Sequence, residues 1–347
     1  MSETVRSGRR VTIGDIAKRA GVSKGAVSYA LNDRPGLSKS TRARILAIAD
    51  ELGWHPNSAA RALSSARANT CGLVIARPAQ TLAFEPFFME FIAGVESELS
   101  ARSIALTIQV VDDLSEEIAV HRRLWGERRV DGVLVVDCRV DDPRIAELVR
   151  LGMPAVVVGG PLVDHALPAV WHDEASAVEE VVRYLAALGH TSIARVSGVG
   201  SFVHTTKRTA AFHAITRALS IRGKVVETDF TPESGAQVTR ELLTEPEPPT
   251  AIIYDSDVLA VTGLGVAHQM GVSVPDDVSI VAWDDSLVCR VVHPPLTAVT
   301  RDIPLYGARA AASLLEAIAG RAPGDVETPA GVLEPRGSTA PALRAAS

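Results

Sequence analysis

The chain has 347 residues, of which 47% are hydrophobic and 22% are charged, and its formal net charge at neutral pH is −6. This length suits two or three domains with sizeable hydrophobic cores. No apolar run approaches the roughly 18–20 residues of a membrane-spanning helix, and the first ten residues lack the apolar segment of a secretory signal. The three cysteines lie far apart without metal-binding spacing. We therefore predict buried thiols, no cofactor and a soluble cytoplasmic protein.

Charge is distributed unevenly along the chain. Residues 1–67 contain twelve Lys and Arg against five Asp and Glu, a net charge of +7, whereas the remaining 280 residues carry −13. Contacts between Lys or Arg and phosphates supply most of the non-specific affinity of proteins for DNA. A basic end on an acidic chain therefore indicates a polyanionic partner for that end alone.

Two short helices separated by a tight turn are predicted in residues 11–32. Apolar residues spaced by three and four predict the first, Ile13–Ala20, with Thr12 as its N-cap and Gly21 at its end. Ser23 is placed to cap the second, which runs to about Asn32. Seen in isolation, this pattern is also typical of an ordinary surface hairpin of helices.

A third helix follows a turn at residues 33–36. It begins at Ser38, stops at Gly53 and carries an apolar stripe of Ile45, Leu46, Ile48, Ala49 and Leu52. Three short helices in about fifty residues are typical of a helix-turn-helix DNA-binding module.

The segment after the third helix has a different character. Residues 54–57, Trp-His-Pro-Asn, interrupt the helical pattern, and the Ala-rich stretch that follows spans only about two turns. Helices shorter than roughly 12 residues seldom hold in water. We expect a short helix here to need a partner or a ligand in order to form.

From residue 71 onward, strands alternate with helices in two rounds. Buried strands are predicted at 71–76, 104–111, 130–136 and 154–160, and then at 192–197, 224–230, 251–255 and 279–283. Helices are predicted over about 87–102, up to 126, up to 189, from 207, from 233, and over 257–270 and 304–320. This alternation is typical of parallel βαβ units, and two rounds indicate two doubly wound lobes with a ligand cleft between them.

The predicted fold class is therefore α/β, with an N-terminal all-α domain. The expected domains are a helix-turn-helix domain at 1–54, a linker at 55–67 and a two-lobed domain at 68–347. Within the last, the N-lobe spans about 70–168 plus about 302–325. The C-lobe spans about 169–301 plus the C-terminal segment.

Several co-linear motifs give the chain a resemblance to the lac-repressor (LacI/GalR) family of transcriptional regulators. TIGDIAKRAGVSKGAVSYALN resembles the family's helix-turn-helix signature, and HPNSAARALS resembles its hinge-helix signature. DGVLVV, LGHTSIARVSG, KRTAAF, SDVLA and IVAWDD then follow in the family's order. The resemblance covers the chain from about residue 11 to about 336. It implies that residues 55–67 form a hinge helix or linker. It also implies that 68–347 is a periplasmic-binding-protein-like effector-binding and dimerisation domain that controls DNA binding.

The resemblance places the second predicted helix in the major groove of DNA. Lys24 can donate to guanine O6 and N7 or touch a phosphate, and Tyr29 lies one turn further on. Gly25 has no side chain with which to read a base, so a relative's half-site code does not transfer. The expected DNA-binding set in this region is Thr12, Ser23, Lys24, Gly25, Ala26, Ser28, Tyr29 and Asn32. Of these, Thr12, Ser28 and Asn32 position the module through phosphates or cap helices.

The hinge signature implies a second DNA contact, in the minor groove. Two hinge helices of a dimer lie there in the family, and a leucine at the position of Leu63 wedges a central base step. Asn57, Ala60 and Arg61 match neighbouring groove-facing positions. Alternatively, Leu63 packs only against the effector lobe.

The resemblance also implies an effector site between the lobes. Arg208 matches a ligand-contacting arginine, Asp284 a pocket aspartate and Phe230 an aromatic residue that stacks on the ligand. Ser256 falls where a pocket asparagine or serine is common, with Asp257 as the cap of the following helix. Asp141, Arg301 and Phe84 are further cleft candidates. For Asp284 and Phe230, structural roles as a capping acid and a core residue remain open.

Other function classes fit the sequence less well. No phosphate-binding loop, GxGxxG after the first strand or HExxH is present, so no enzyme is predicted. A periplasmic binding protein would share the two lobes but would carry a signal peptide and no helix-turn-helix. The favoured function is a homodimeric repressor that binds a pseudo-palindromic operator and is controlled by a small molecule, expected to be a sugar. The alternative is a repressor activated by a purine or another metabolite.

Overall fold

The computed structural model describes residues 11–54, 67–78, 82, 85–161 and 166–342. The chain divides into two compact units, 1–68 and 69–347, and each is considered by itself. No helix in these described ranges is long and apolar enough to cross a lipid bilayer.

The first unit is a bundle of three helices: α1 (Ile13–Ala20), α2 (Lys24–Leu31) and α3 (Lys39–Glu51). Its core contains Ile16, Ala17, Ala20, Val27, Ala30, Ile45 and Ala49. Ser38 caps α3 by accepting a hydrogen bond from the Thr41 amide at 3.2 Å. Leu46 departs from the predicted apolar stripe and is 44% exposed. The reason is helical geometry, since a residue adjacent to Ile45 is rotated about 100° from the face that Ile45 and Ala49 share.

The second unit contains two sheets, and the first has the strand order β11-β5-β4-β3-β1-β2 within the described residues. All its pairs are parallel. Its strands are β1 (Thr70–Ala76), β2 (Ala105–Val111), β3 (Gly132–Val135), β4 (Ala155–Val158), β5 (Ala169–His172) and β11 (Val326–Thr328). The helices associated with this sheet are α4 (Pro86–Ser100), α5 (Leu114–Gly126), α6 (Pro143–Leu151) and α12 (Ile303–Ile318).

The second sheet repeats this topology with the order β12-β10-β9-β8-β6-β7 over the same described residues. Only the β10–β12 pair is antiparallel among the described pairings of this sheet. Its strands are β6 (Ser192–Ser197), β7 (Arg222–Glu227), β8 (Ala251–Tyr254), β9 (Ser279–Trp283), β10 (Thr297–Thr300) and β12 (Val332–Glu334). The helices are α7 (Glu174–Ala187), α8 (Val203–Ala218), α9 (Pro232–Leu243), α10 (Asp257–Gln269) and α11 (Leu287–Val291).

Both sheets have the doubly wound order 2-1-3-4-5, in which ligands bind beyond the carboxyl ends of the strands at the point where the winding direction reverses. In the first sheet this point lies between β1 and β3, and in the second between β6 and β8. The sequence prediction of two doubly wound lobes is confirmed.

The predicted lobe boundary at residue 168 needs correction. Strand β5 pairs with β4 and with β11, so residues 169–172 belong to the first sheet, and the chain crosses to the second lobe after His172. The return segment likewise extends to Thr328 rather than 325. Strand β11 follows β5 by about 150 residues, so no local sequence pattern reveals this pairing. In addition, α8 begins at Val203, four residues before the predicted start.

The three cysteines are buried free thiols, as the sequence predicts. Burial raises the pKa of Cys71, Cys138 and Cys289 in each case to about 12. These thiols therefore remain protonated at neutral pH and contribute to packing rather than to chemistry.

Candidate DNA-binding surface and effector cleft

Helix α2 presents a polar face on the outside of the first unit. Its inward residues Val27 and Ala30 are buried, whereas Lys24 and Gly25 are exposed and Tyr29 is 44% exposed. Ala26 and Ser28 are partly exposed. The N-terminal residues of α2 are therefore accessible from outside the unit, which is the geometry that a recognition helix requires.

Three of the predicted DNA-binding residues are engaged in capping. Thr12 and Asp15 form a reciprocal capping box, with the Thr12 amide donating to Asp15 Oδ2 at 2.8 Å. Ser23 Oγ accepts from the Ala26 amide at 3.1 Å, and Asn32 Nδ2 donates to the Ser28 carbonyl at 2.9 Å. These contacts fix the ends of α1 and α2 and so hold α2 in position. Asn57, Ala60, Arg61 and Leu63 lie outside the described residues.

A cavity of about 80 Å³ lies in the second unit where the carboxyl ends of the strands meet. Arg77 directly follows β1, and Asp137 lies two residues after β3. In the other sheet, Asp255, Asp284 and Arg301 directly follow β8, β9 and β10. The doubly wound topology thus brings residues more than 200 positions apart in the chain into one site.

Arg77 organises one side of the cleft and is 7% exposed. Its Nε and Nη2 donate to the two oxygens of Asp137 at 2.7 and 3.0 Å, and its Nη1 donates to Glu85 Oε1 at 2.6 Å. Although burial opposes ionisation, Arg77 holds the pKa of Asp137 below its usual value. Burial raises the pKa of Glu85 to about 7, against the opposing effect of Arg77.

Glu174 joins two arginines on the other side. Its carboxylate accepts from Arg208 Nε at 2.6 Å and from Arg301 Nη1 at 3.3 Å. Arg301 Nε also donates to Asp284 Oδ1 at 2.7 Å. Although burial alone would raise the pKa of Glu174, Arg208 and Arg301 lower it to about 2. The result is a continuous chain of alternating charges, Arg208–Glu174–Arg301–Asp284.

Aromatic rings form the apolar part of the cleft. Phe87, Phe230 and Tyr306 line it. The guanidinium of Arg77 lies 4.8 Å from the centre of the Phe230 ring, and that of Arg208 lies 4.2 Å from the Trp283 ring. Such contacts hold the cations over ring faces.

Three cleft residues have left-handed backbone conformations. Asp137, Phe230 and Asp284 have φ angles of 50°, 68° and 69°. Gly198, just after β6, makes room for Phe230, because a Cβ at that position would lie 1.8 Å from the ring. Strained backbone of this kind is held in place by its surroundings and concentrates at functional sites.

The structure brings most of the predicted effector residues together. Arg208, Asp284, Phe230, Ser256 and Arg301 line the cavity. Ser256 is also the N-cap of α10, accepting from the Leu259 amide at 3.2 Å, so the cap is Ser256 and not Asp257 as predicted.

Two further predicted residues are not among those brought together. Asp141 is exposed in the turn before α6 and does not line the cavity. Phe84 lies outside the described residues.

Sequence reasoning missed Arg77, Glu85, Asp137, Glu174, His204 and Asp255, which also line the cavity. His204 lies one helical turn before Arg208 on α8, and burial lowers the pKa of its imidazole to about 4. A signal for Arg77, Asp137 and Asp255 was present, since a charged residue just beyond a parallel strand falls at the ligand-binding edge of the sheet.

Known proteins match both units. The family described as "Bacterial regulatory proteins, lacI family" matches residues 12–57, and "Periplasmic binding protein-like domain" matches 182–339. The curated transcriptional regulator CelR of Thermobifida fusca is 32% identical over 320 residues, covering 90% of this chain and 93% of the relative.

Solved structures agree with these matches. The lac repressor dimer bound to operator and the anti-inducer ONPF superposes with a TM-score of 0.83 at 27% identity, covering 96% of this chain and all of that one. A complex of the transcriptional regulator CelR with cellobiose gives a TM-score of 0.73 at 30% identity, covering 95% and 100%.

An exposed helix of a helix-turn-helix unit, together with a ligand cleft between two doubly wound lobes, defines a ligand-responsive DNA-binding transcriptional regulator. The chain belongs to the LacI family of bacterial regulatory proteins. The relatives named above are regulators of transcription.

Proposed function

We propose that this protein is a homodimeric repressor that binds a pseudo-palindromic operator and is released from it by a sugar bound in the cleft. The observation that carries the proposal is the composition of the cleft. Ion-paired charged side chains that can donate and accept hydrogen bonds lie there beside aromatic rings. Sugars need this combination, since hydroxyls take fixed hydrogen bonds and the ring's apolar face lies on an aromatic side chain. The relative CelR was solved with cellobiose, which supports a sugar ligand.

The free volume of the cleft supports control by lobe movement. At about 80 Å³ it is far below the roughly 300–1,000 Å³ of typical ligand pockets. A sugar therefore has to widen the cleft in order to bind. If the operator-binding form is the one with the narrow cleft, a ligand that prefers a wider cleft shifts the population away from that form and lowers operator affinity.

An exposed apolar patch on the second unit supports a homodimer. Three apolar residues of α11 are exposed: Leu287 is 71% exposed, Val291 69% and Val288 41%. Clustered exposed apolar residues mark interaction surfaces. A two-fold dimer would present two copies of α2, and a palindromic operator mirrors that symmetry. The lac repressor was solved as a dimer on its operator, which supports the same assembly here.

The effector is tested with the full-length protein. A thermal-shift series against sugars and nucleobases identifies ligands, because a bound ligand stabilises the folded state by mass action. Operator affinity is then measured by fluorescence anisotropy with and without the ligand found. A fall in affinity supports release by the effector. A rise would establish the alternative, a repressor activated by its ligand.

The DNA-binding face is tested with Lys24→Ala. Selection from random DNA first supplies an operator, and binding is then measured at fixed salt. If Lys24 pairs with guanine, the variant loses roughly 10- to 100-fold in affinity and becomes tolerant at one position of each half-site. Lys39→Ala, which removes the same charge from the start of α3, is the matched control. If both variants lose the same affinity, and by the same factor for every operator sequence, Lys24 contacts a phosphate and not a base.

The expected minor-groove wedge, Leu63, lies outside the described residues and is tested by its own variant. Leu63→Ser is expected to weaken operator binding while effector affinity stays unchanged, since the wedge contributes only when DNA is bound. Unchanged operator binding would contradict the wedge.

A further inference from the structure

Each arginine of the cleft is already paired with carboxylates. Arg77 is bound by Asp137 and Glu85. Arg301 contacts both Asp284 and Glu174, and Arg208 donates to Glu174. A cleft built for an anionic ligand would instead keep an arginine whose charge is not already compensated.

The open fork of Arg208 is the position where an anion could still bind. Its two terminal nitrogens donate no hydrogen bond within the described part of the chain, but carboxylates lie on both sides of them. Glu174 Oε2 is 2.6 Å from Nε, and Asp255 Oδ2 is 3.9 Å from Nη1. An anion placed on this fork would meet two negative charges, whereas a pair of vicinal hydroxyls could accept from the same N–H groups without that repulsion.

Counting charges around the cavity gives an excess of carboxylates. Six of the described lining residues are acidic, namely Glu85, Asp137, Glu174, Asp255, Asp257 and Asp284, against the three arginines Arg77, Arg208 and Arg301. Arg195, packed behind Asp255, binds both oxygens of that carboxylate and is the fourth cation. Among the described residues, six carboxylates therefore face four arginines.

Glu85 shares Arg77 with Asp137, and Asp257 forms no ion pair within the described residues. Burial raises the pKa of Asp257 to about 6, with a further contribution from the charge of Asp284. The charge of Asp257 in turn contributes to the raised pKa of Glu85, after burial and Asp137. Additional negative charge in this cleft is therefore already unfavourable before any ligand enters.

We propose that the cleft selects an uncharged, hydroxyl-rich effector and rejects anionic ones, including sugar acids and sugar phosphates. The inference rests on the proposed function, since it takes this cleft to be the effector site. Hydroxyl groups donate to the carboxylate oxygens and accept from Arg208, so an uncharged polyol satisfies both kinds of group. An anion satisfies only the arginines, and at the open fork of Arg208 it meets the negative charges of Glu174 and Asp255.

Matched sugars test the selection directly. Isothermal titration of the full-length protein at pH 7.5 and fixed ionic strength compares glucose with glucuronate and glucose 6-phosphate, galactose with galacturonate, and cellobiose with cellobionate. In any series that binds, the uncharged member is expected to bind roughly 100-fold more tightly than its anionic partner. An anionic partner that binds as tightly, or more tightly, would overturn the inference.

A second measurement needs no identified effector. Inorganic phosphate is titrated against the wild type, Arg208→Met and Glu174→Gln while thermal unfolding is followed. Phosphate is expected not to stabilise the wild type in a saturable manner. A saturable stabilisation of the wild type that is absent in Arg208→Met would overturn the inference. Glu174→Gln, which leaves Arg208 and Arg301 without their shared carboxylate, is expected to gain phosphate binding.

Controls keep the two proposals separable. Glu180→Gln, an exposed substitution on the same helix, is expected to behave as the wild type, and Asp284→Asn replaces Glu174→Gln if that variant fails to fold. If neither Glu174→Gln nor Asp284→Asn gains phosphate binding, charge selection by these carboxylates is wrong. If no sugar binds while the phosphate titration behaves as expected, the sugar effector is wrong and the charge selection stands.

Discussion

The first unit and the second unit differ in the range of the contacts within each of them. In the first unit, the side chains that define the helix ends bond to groups three or four residues away, as in Thr12 with Asp15 and Asn32 with Ser28. In the second, Arg195 reaches Asp255 across 60 residues and Arg301 reaches Glu174 across 127. A local pattern can specify the first unit, whereas the cleft exists only once two sheets have formed.

The largest expected effect comes from breaking a buried long-range pair. Arg195 and Asp255 are 0% and 3% exposed. Arg195→Met removes both hydrogen bonds that this arginine donates to the buried Asp255 carboxylate, and we expect the second unit to lose about 3–5 kcal/mol of unfolding free energy. Urea unfolding followed by circular dichroism measures the loss.

The matched control is an exposed pair in the other unit. Arg19 and Glu51 form an ion pair whose side chains are 52% and 59% exposed. We expect Arg19→Met to cost less than about 1 kcal/mol, because water already solvates both groups. Similar losses in the two variants would remove the contrast between the units.

The second effect depends on pH and concerns Glu174. Its pKa is lowered from 4.5 to about 2 in the folded protein, so its ionisation stabilises the fold at pH values above about 4.5. That contribution is lost as the pH falls towards 2. It amounts to about 3 kcal/mol at neutral pH, from 1.36 kcal/mol per unit of pKa.

Glu174→Gln removes this contribution. The difference in unfolding free energy between wild type and variant is therefore expected to be largest at pH 7 and to shrink as the pH is lowered from 4.5 to 3. A difference that stays constant over this range would mean that Glu174 does not ionise in the way its two arginines imply.

Because the contacts of the cleft join residues far apart in the chain, the sequence predicts only part of the cleft. Arg208 and Asp284 were predicted from family motifs, and both line the cavity. Arg77 and Glu174 belong to no quoted motif, and their importance depends on partners that only the folded chain brings near. Asp141, which the sequence predicts in the cleft, is exposed in the turn before α6, whereas Asp137 lines the cavity.

The lobe boundary was misplaced for a related reason. Strand β5 has four residues, and the Ala169 amide at its start donates to Asp325, 156 positions away. Its place in the first sheet becomes evident only with β11, the partner that the chain supplies about 150 residues later. By contrast, α1, α2 and their caps were predicted correctly, since every contact that defines them lies within a few residues.

A moderate effect is expected at Gly198, where close packing shapes the cleft. Gly198→Ala places a methyl group where the Phe230 ring lies, so the ring has to move. If Phe230 contacts the effector, affinity falls roughly tenfold, since a 1.4 kcal/mol loss of contact corresponds to that factor. Titration with the effector measures it, and operator affinity without the ligand should stay unchanged. Unchanged effector affinity would assign Phe230 to the core alone.

The smallest effect is expected for Thr12, whose two possible roles differ in size and in what they respond to. As an N-cap, Thr12→Ala costs about 1 kcal/mol of stability in the first unit, whether or not DNA is present. As a phosphate contact it also weakens operator binding, and less so at high salt. Thr12→Ser retains a hydroxyl for both roles and serves as the control. Because the Thr12 hydroxyl lies 2.6 Å from Asp15 Oδ2 within the capping box, we expect the stability loss to dominate and the salt dependence of operator binding to change little. A large change in salt dependence with unaltered thermal unfolding would instead place Thr12 on the DNA.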